Sequence, residues 1–228
     1  SICLYVTRPA SQGRDLYLDV DRFLEGRGPD TKAFHHRHRR VCWQESSPQN
    51  NFRRVIAAMV EQGEFCNHTV NYLPEFTSTQ PLELLLGVLN SKLIDWYFRL
   101  GSTNAHVSHY QVGNLPCPIF ADDEPNEREL STVADLLAAG LLDDAFDRLS
   151  PGVAEPPFSA TAREAIVQAV KRIIAIETQR GAIRRVQRSA LHPTAQSYQH
   201  FIDRLLYAMA GITDAEARAL EGRLAQMM

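Results

Sequence analysis

The chain lacks the short motifs that usually mark a catalytic or metal-binding domain. Its four cysteines, Cys3, Cys42, Cys66 and Cys117, form no C-x-x-C pair. A structural zinc site takes about four ligands at closely paired spacings, so reduced thiols in an intracellular protein are the expectation. No P-loop and no glycine-rich dinucleotide loop occurs. An amino-methyltransferase that flips its target base would carry an Asp/Asn/Ser-Pro-Pro-Tyr/Phe loop. The sole Pro-Pro pair, Pro156-Pro157, precedes Phe158 but follows Glu155. A metal-dependent nuclease would need clustered carboxylates with a lysine, and Pro29-Asp30-Thr31-Lys32 has no second acid at a useful spacing. No Ser/His/Asp spacing suggests a nucleophile. The expectation is a chain without catalytic residues, cofactor or metal of its own.

Long apolar runs are scarce too. A membrane span takes roughly 18–20 uninterrupted apolar residues, and the richest stretch, 82–98, is broken by Glu83, Lys92 and Asp95. The opening run SICLYV meets Arg8 and Pro9 at once, too early for a signal peptide. A cytoplasmic protein with no membrane partner is expected. The strand-like start at Ser1, without an initiator methionine, suggests a piece excised from a longer chain.

What is present is enough for a sizeable core: 228 residues, 44% of them hydrophobic. The formal net charge of −3 argues, taken alone, against a nucleic-acid binder, so the distribution of charge matters more than its sum. Three regions separate. Residues 1–120 read as an α/β unit. SICLYV, DLYLDV, RRVCWQ (39–44), RRVIAAMV (53–60) and FCNHTVNYL (65–73) are strand-like, and residues 80–100 form one helix, apolar on almost every side, closed by Gly101. Residues 121–157 are an acidic linker in which ten carboxylates face only Arg128 and Arg148, with short helices near 127–138 and 141–149. Residues 158–228 are helical. Thr161-x-x-Glu164 is the candidate capping box of a long helix that runs to Ala190 if unbroken. Pro193 stops it, Gly211 caps the next helix, and Thr213-x-x-Glu216 opens the last. The fold class expected is α+β: a mixed sheet with a buried helix, then an all-helical region with one long helix.

Three polar clusters stand out. The first is His35-His36-Arg37-His38-Arg39-Arg40 with Arg53 and Arg54: five arginines against one acid, Glu45, between 35 and 54. Guanidinium forks match phosphate oxygens and guanine edges, whereas the plainer reading is a solvated basic face. A contiguous histidine run spreads its rings over both faces of a strand, which disfavours a metal site. The second cluster is Lys171, Arg172, Arg180, Arg184, Arg185 and Arg188. It serves either the helix dipole or contact with phosphate or a partner domain. The third is uncharged: Ser102, Thr103, Asn104, His106, His109, Tyr110 and Gln111, with a similar set at Asn67, His68, Thr69 and Asn71. Asn and Gln can read adenine bidentately, and loops on rigid frames often carry recognition. An ordinary polar turn is the alternative.

Three stretches together resemble one family. HRRVCWQESSPQNNFRRVIAAMVEQGEFCNHTVNYL (38–73) resembles the start of the specificity region of TaqI-like, methyltransferase-fused type II restriction–modification enzymes. LELLLGVLNSKLIDWYFRLGSTNAHVSHYQVGNLPCP (82–118) is similar to its Leu-Gly-x-Leu-Asn-Ser-Lys helix, Ser-Thr-Asn turn and closing Leu-Pro-x-Pro. FIDRLLYAMAGITDAEARALEG (201–222) resembles its closing pattern. The resemblance implies a target-recognition domain that docks in the major groove of double-stranded DNA. Its partner would be an adenine-N6 methyltransferase domain of the same parent chain, which uses S-adenosylmethionine, with magnesium needed if a nuclease is fused as well. On this reading Arg37, Arg39, Arg40, Arg53, Arg54 and Lys92 anchor phosphates. Asn67, His68, Thr69, Asn71, Ser102, Thr103, Asn104, His106, His109 and Gln111 read base edges. The acidic segment 121–155 is longer than the family pattern. Two alternatives remain: a protein-interaction module, and a specificity fragment from a type I or phage-defence methyltransferase system.

Overall fold

A computed structural model describes residues 3–7, 18–102, 104–180 and 191–227. Among these residues one sheet has four strands, β1 (Tyr5–Val6), β2 (Arg40–Gln44), β3 (Ala57–Val60) and β4 (Val70–Pro74), in the order β1-β3-β2-β4. β2 runs antiparallel to both neighbours, with Cys42 opposite Ala58 on one side and Tyr72 on the other, while β1 lies parallel to β3. β2 and β3 sit centrally and are buried along almost their whole length, as their β-branched and apolar residues allow. Of SICLYV, the described part holds the two-residue β1. Of DLYLDV, the described part is not a strand: Val20 starts α1 (Val20–Leu24), capped by the Asp19 carboxylate.

The single helix expected over 80–100 is two. α2 (Leu82–Leu89) and α3 (Lys92–Gly101) meet at Asn90-Ser91. Ser91 caps α3, its hydroxyl accepting the Ile94 N–H and donating to the Val88 carbonyl. The Asn90 amide folds back onto β3, accepting the Ala57 N–H and donating to the Ala57 carbonyl, both at 2.9 Å. A fully buried side-chain amide thus completes the hydrogen bonding of a central strand. Asn90→Ala strips both partners and is expected to cost about 2 kcal/mol of stability. Chemical denaturation of variant and parent would measure it, and an unchanged midpoint would show the tie to be dispensable.

α2 packs on β3 and on α7 (Ala160–Gln179). Their close approach explains Gly87: a Cβ there would lie 2.9 Å from Val170 Cγ2. α7 is capped by Ser159 rather than by Thr161, whose buried hydroxyl instead accepts the Asn126 N–H. The expected continuation of this helix to Ala190, with Arg184, Arg185 and Arg188, lies outside the described residues. α8 (Pro193–Met209) starts with Pro193 in its first turn, where a missing N–H costs nothing. It closes through Gly211 in the left-handed region, φ +67°. α9 (Asp214–Met227) opens with the expected Thr213/Glu216 reciprocal cap.

The acidic segment holds α5 (Glu127–Ala139) and α6 (Leu142–Leu149), close to the ranges expected. Its neck is tied by the Ala121 N–H to the Phe158 carbonyl and the Phe158 N–H to the Ile119 carbonyl. Val133, Leu137, Ala145 and Leu149 join the same hydrophobic core as Val41, Leu86, Ile166 and Ile202. α5 packs on α7 and α6 on α8, so the acidic faces point away from that shared core. Among the described residues no helix is long and apolar enough to cross a membrane.

Candidate nucleic-acid interface

The two uncharged polar sets meet at the C-terminal end of β2. Glu45 is the junction. Its N–H donates to the Thr69 carbonyl at 3.0 Å, and its carbonyl accepts the Val107 N–H at 2.8 Å. The Ser47 N–H donates to the Ala105 carbonyl, so residues 105–107 run beside β2 as a short antiparallel extension. The buried Val107 carbonyl receives two side-chain donors, Trp43 Nε1 and Asn71 Nδ2, each at 3.1 Å. From below, the Arg54 guanidinium donates to the Asn104 carbonyl at 2.5 Å and to Ser102 Oγ at 3.4 Å. α4 (His109–Gly113) then starts with a full capping box between Ser108 and Gln111.

This frame leaves a rim of exposed polar groups: Asn67, His68 and Thr69 on one side, and Asn104, His106, His109 and Tyr110 on the other. The Asn67 carboxamide oxygen accepts from the Thr69 N–H and hydroxyl, and that of Asn104 accepts from the His106 N–H. Both are turns built on a side-chain oxygen, which leave the amide nitrogens to donate outward. The His109 ring stands edge-on to Trp43, 4.9 Å between centroids. Partial burial, helped by Lys32, lowers its proton affinity, and the same two causes act in that order on His35. His109 is therefore a neutral donor–acceptor near neutral pH.

Several expected contact residues do something else. Arg40 and Arg54 are buried, 2% and 1% exposed, so neither meets a phosphate as placed. Arg40 clamps the carbonyls of His38, Glu61 and Glu64, and Arg54 holds the 102–104 turn. Arg53 lies beside Asp95, 3.7 Å away, with its side chain largely covered. Arg39 is bound to Glu83 at 2.6 Å and Glu61 at 3.4 Å, and Lys92 to Glu221 at 2.6 Å. Of the six cations, only Arg37 is exposed, over the Phe34 ring. Among the base-reading candidates, Ser102 is buried, Gln111 is spent on its cap and Asn71 on Val107. Thr103 lies outside the described residues. The common cause is that a basic or amide side chain next to a core takes the nearest backbone carbonyl or carboxylate, since leaving it unpaired there is costly.

The pattern also missed two groups. Lys32 is exposed and near enough to shift both His35 and His109, although it lies far from His109 in sequence. Phe76, 55% exposed, carries the His35 and His38 rings edge-on against it at 5.2 and 4.9 Å. Only tertiary contact joins these residues. Elsewhere, an apolar groove of about 440 Å³ lies between α3, α8 and the 116–119 segment, lined by Leu93, Trp96, Tyr97, Ile119, Leu206 and Met209. Among the described residues no group of three or more His, Cys, Asp or Glu side chains is placed to hold a metal.

Comparison with protein-family models, with curated proteins and with solved structures finds no match to this chain.

Proposed function

We propose that the chain is the DNA-recognition part of a TaqI-like, methyltransferase-fused restriction–modification enzyme. Methyl transfer from S-adenosylmethionine would belong to a companion domain of the parent chain. Support comes from the three motif stretches and, above all, from one observation: the 67–69 and 104–110 segments converge on the backbone of Glu45 and form a single rim. On this reading the rim faces the base pairs. Asn67 and Asn104 donate to purine acceptors through their free amide nitrogens, and neutral His109 offers one donor and one acceptor. Lys32 and Arg37 supply positive charge toward the phosphates, fixing position without reading sequence. The buried arginines hold the rim in shape.

A gel shift of the chain on mixed-sequence duplex tests this. With two or three cations at the rim neutralising phosphates, binding is expected to be weak and to fall about 10- to 40-fold between 50 and 200 mM salt. Lys32→Ala should weaken binding to all sequences alike and flatten the salt slope by about one. Asn104→Ala in the parent enzyme should relax preference at one position, worth about 1–3 kcal/mol of discrimination. Absence of any complex at the lowest salt would overturn the reading. It would favour instead the protein-interaction module, for which the apolar groove beside α3 and α8 is the supporting observation.

A further inference from the structure

We propose that Cys42 and Cys66 form a thiol–disulfide exchange site that takes a small-molecule disulfide of the glutathione class and closes into an intrachain disulfide. Both thiols are free, and their sulfurs lie 3.6 Å apart, with Cys42 on β2 and Cys66 on the loop between β3 and β4. A bonded pair sits at about 2 Å, so closure needs only a small side-chain adjustment. The loop is already pinned to the strand that faces it. Arg40 of β2 reaches the Glu61 and Glu64 carbonyls at 3.3 and 2.5 Å, and Arg40 lies two residues from Cys42. The same side chain thus positions Cys66 and places positive charge beside it.

Accessibility orders the two steps. Cys42 is buried and Cys66 is part-exposed, so an oxidant meets Cys66 first. The hydrogen bond from Cys42 lowers the proton affinity of Cys66. Burial opposes this, and Arg40 favours the thiolate. The Cys66 thiolate attacks one sulfur of the oxidant. A mixed disulfide forms, and one small thiol leaves, taking its proton from solvent. Cys42, whose proton affinity the neighbouring Cys66 and burial both raise, no longer faces a thiolate once Cys66 is capped. It then loses its proton to solvent, and its sulfur attacks Cys66, expelling the second small thiol. Two protein thiols are oxidised to one disulfide, and one oxidant disulfide is reduced to two thiols. The site stands whatever the adjoining Asn67–Thr69 turn contacts.

The test is treatment of the folded 228-residue chain with oxidised glutathione, followed by intact mass and non-reducing peptide mapping. The expected product has lost two hydrogens and yields one peptide pair joining Cys42 to Cys66. Cys42→Ser should stop at a glutathione adduct on Cys66, and Cys66→Ser should give neither the linked pair nor an adduct on Cys42. Cys117 is exposed and serves as an internal reference for reagent access. The proposal is overturned if Cys117 is converted while Cys66 stays free, or if the adduct on Cys66 never resolves in the unsubstituted 228-residue chain. It is equally overturned if the linked pair forms only in denaturant.

Discussion

Asp95→Ala is expected to remove about 3–5 kcal/mol of stability, more than any other single polar substitution considered for this chain. Asp95 is 1% exposed and sits in α3, one residue after Ile94, where a helical residue faces the core. Its carboxylate accepts the Arg54 N–H at 2.6 Å and Arg99 Nε at 3.0 Å, with Arg53 Nη1 at 3.7 Å. Arg99 extends from this hub to the Gln49 and Asn51 carbonyls, and Arg54 to the Asn104 carbonyl. Burial and the nearby Arg99 charge already lower the proton affinity of Arg54, while Asp95 raises it. Removing Asp95 takes the opposing charge from three covered guanidinium groups at once. The cost comes from those stranded cations rather than from the lost attraction. Unfolding by urea would measure it. Asp95→Ala combined with Arg53→Met should recover part of the loss, because one stranded charge goes with it. A double variant no better than the single one would show the loss to be simple packing. The rim depends on the same hub through Arg54, so under the proposed function DNA binding should fall with stability in Asp95→Ala.

The second large effect concerns Asp203 and appears only with pH. Asp203 on α8 is fully buried. Its Oδ1 accepts the Lys92 N–H at 2.9 Å and Gln199 Nε2 at 3.2 Å, and its Oδ2 has no hydrogen-bond partner among the described residues. Tyr5, in the left-handed region at φ 70°, donates its hydroxyl to the Gln199 oxygen. Burial pushes the Asp203 carboxyl up from 3.8 to about 6, against the pull of Arg53 and Lys92. The folded chain therefore holds this proton longer than the unfolded one. Its contribution to stability is fully present below pH 3.8 and is lost as pH rises through about 6. The loss is about two pKa units, or about 3 kcal/mol. Asp203→Asn cannot titrate there, and the other carboxylates are shared. The stability of the parent minus that of Asp203→Asn should accordingly fall by about 3 kcal/mol between pH 4 and pH 8. A difference that stays flat across that range would show that Asp203 is charged throughout.

Local signals were legible at several element ends among the described residues. Val41, Trp43, Ala57 and Val60 mark strands, and the sheet runs through them. Thr213 with Glu216 opens α9 and Gly211 closes α8 as expected, whereas Pro193, expected to stop the long helix, opens α8. Where the structure departs from the expectation, a competing contact is present, local at Asn90-Ser91 and tertiary at Thr161. The apolar run over 80–100 concealed the Asn90-Ser91 break, although Ser91 three residues before Ile94 is itself a capping pattern. Ser159 displaced Thr161 as the cap because the Thr161 hydroxyl was claimed by a backbone group 35 residues away. The 67–71 and 102–111 sets were both visible as polar clusters, but their meeting at Glu45 was not.

The amino-acid order alone sets most element ends and the apolar faces, because caps, turns and periodicity act over a few residues. It also determined that a core this size could form. The tertiary structure alone decided what each charged group does. Arg40 and Arg54 have the same chemistry as Arg37, yet burial converts the first two into internal clamps and leaves the third in water. The physical reason is that desolvation makes a cation take whatever acceptor is nearest in space. For Arg54 that acceptor is the Asn104 carbonyl, 50 residues further along the chain.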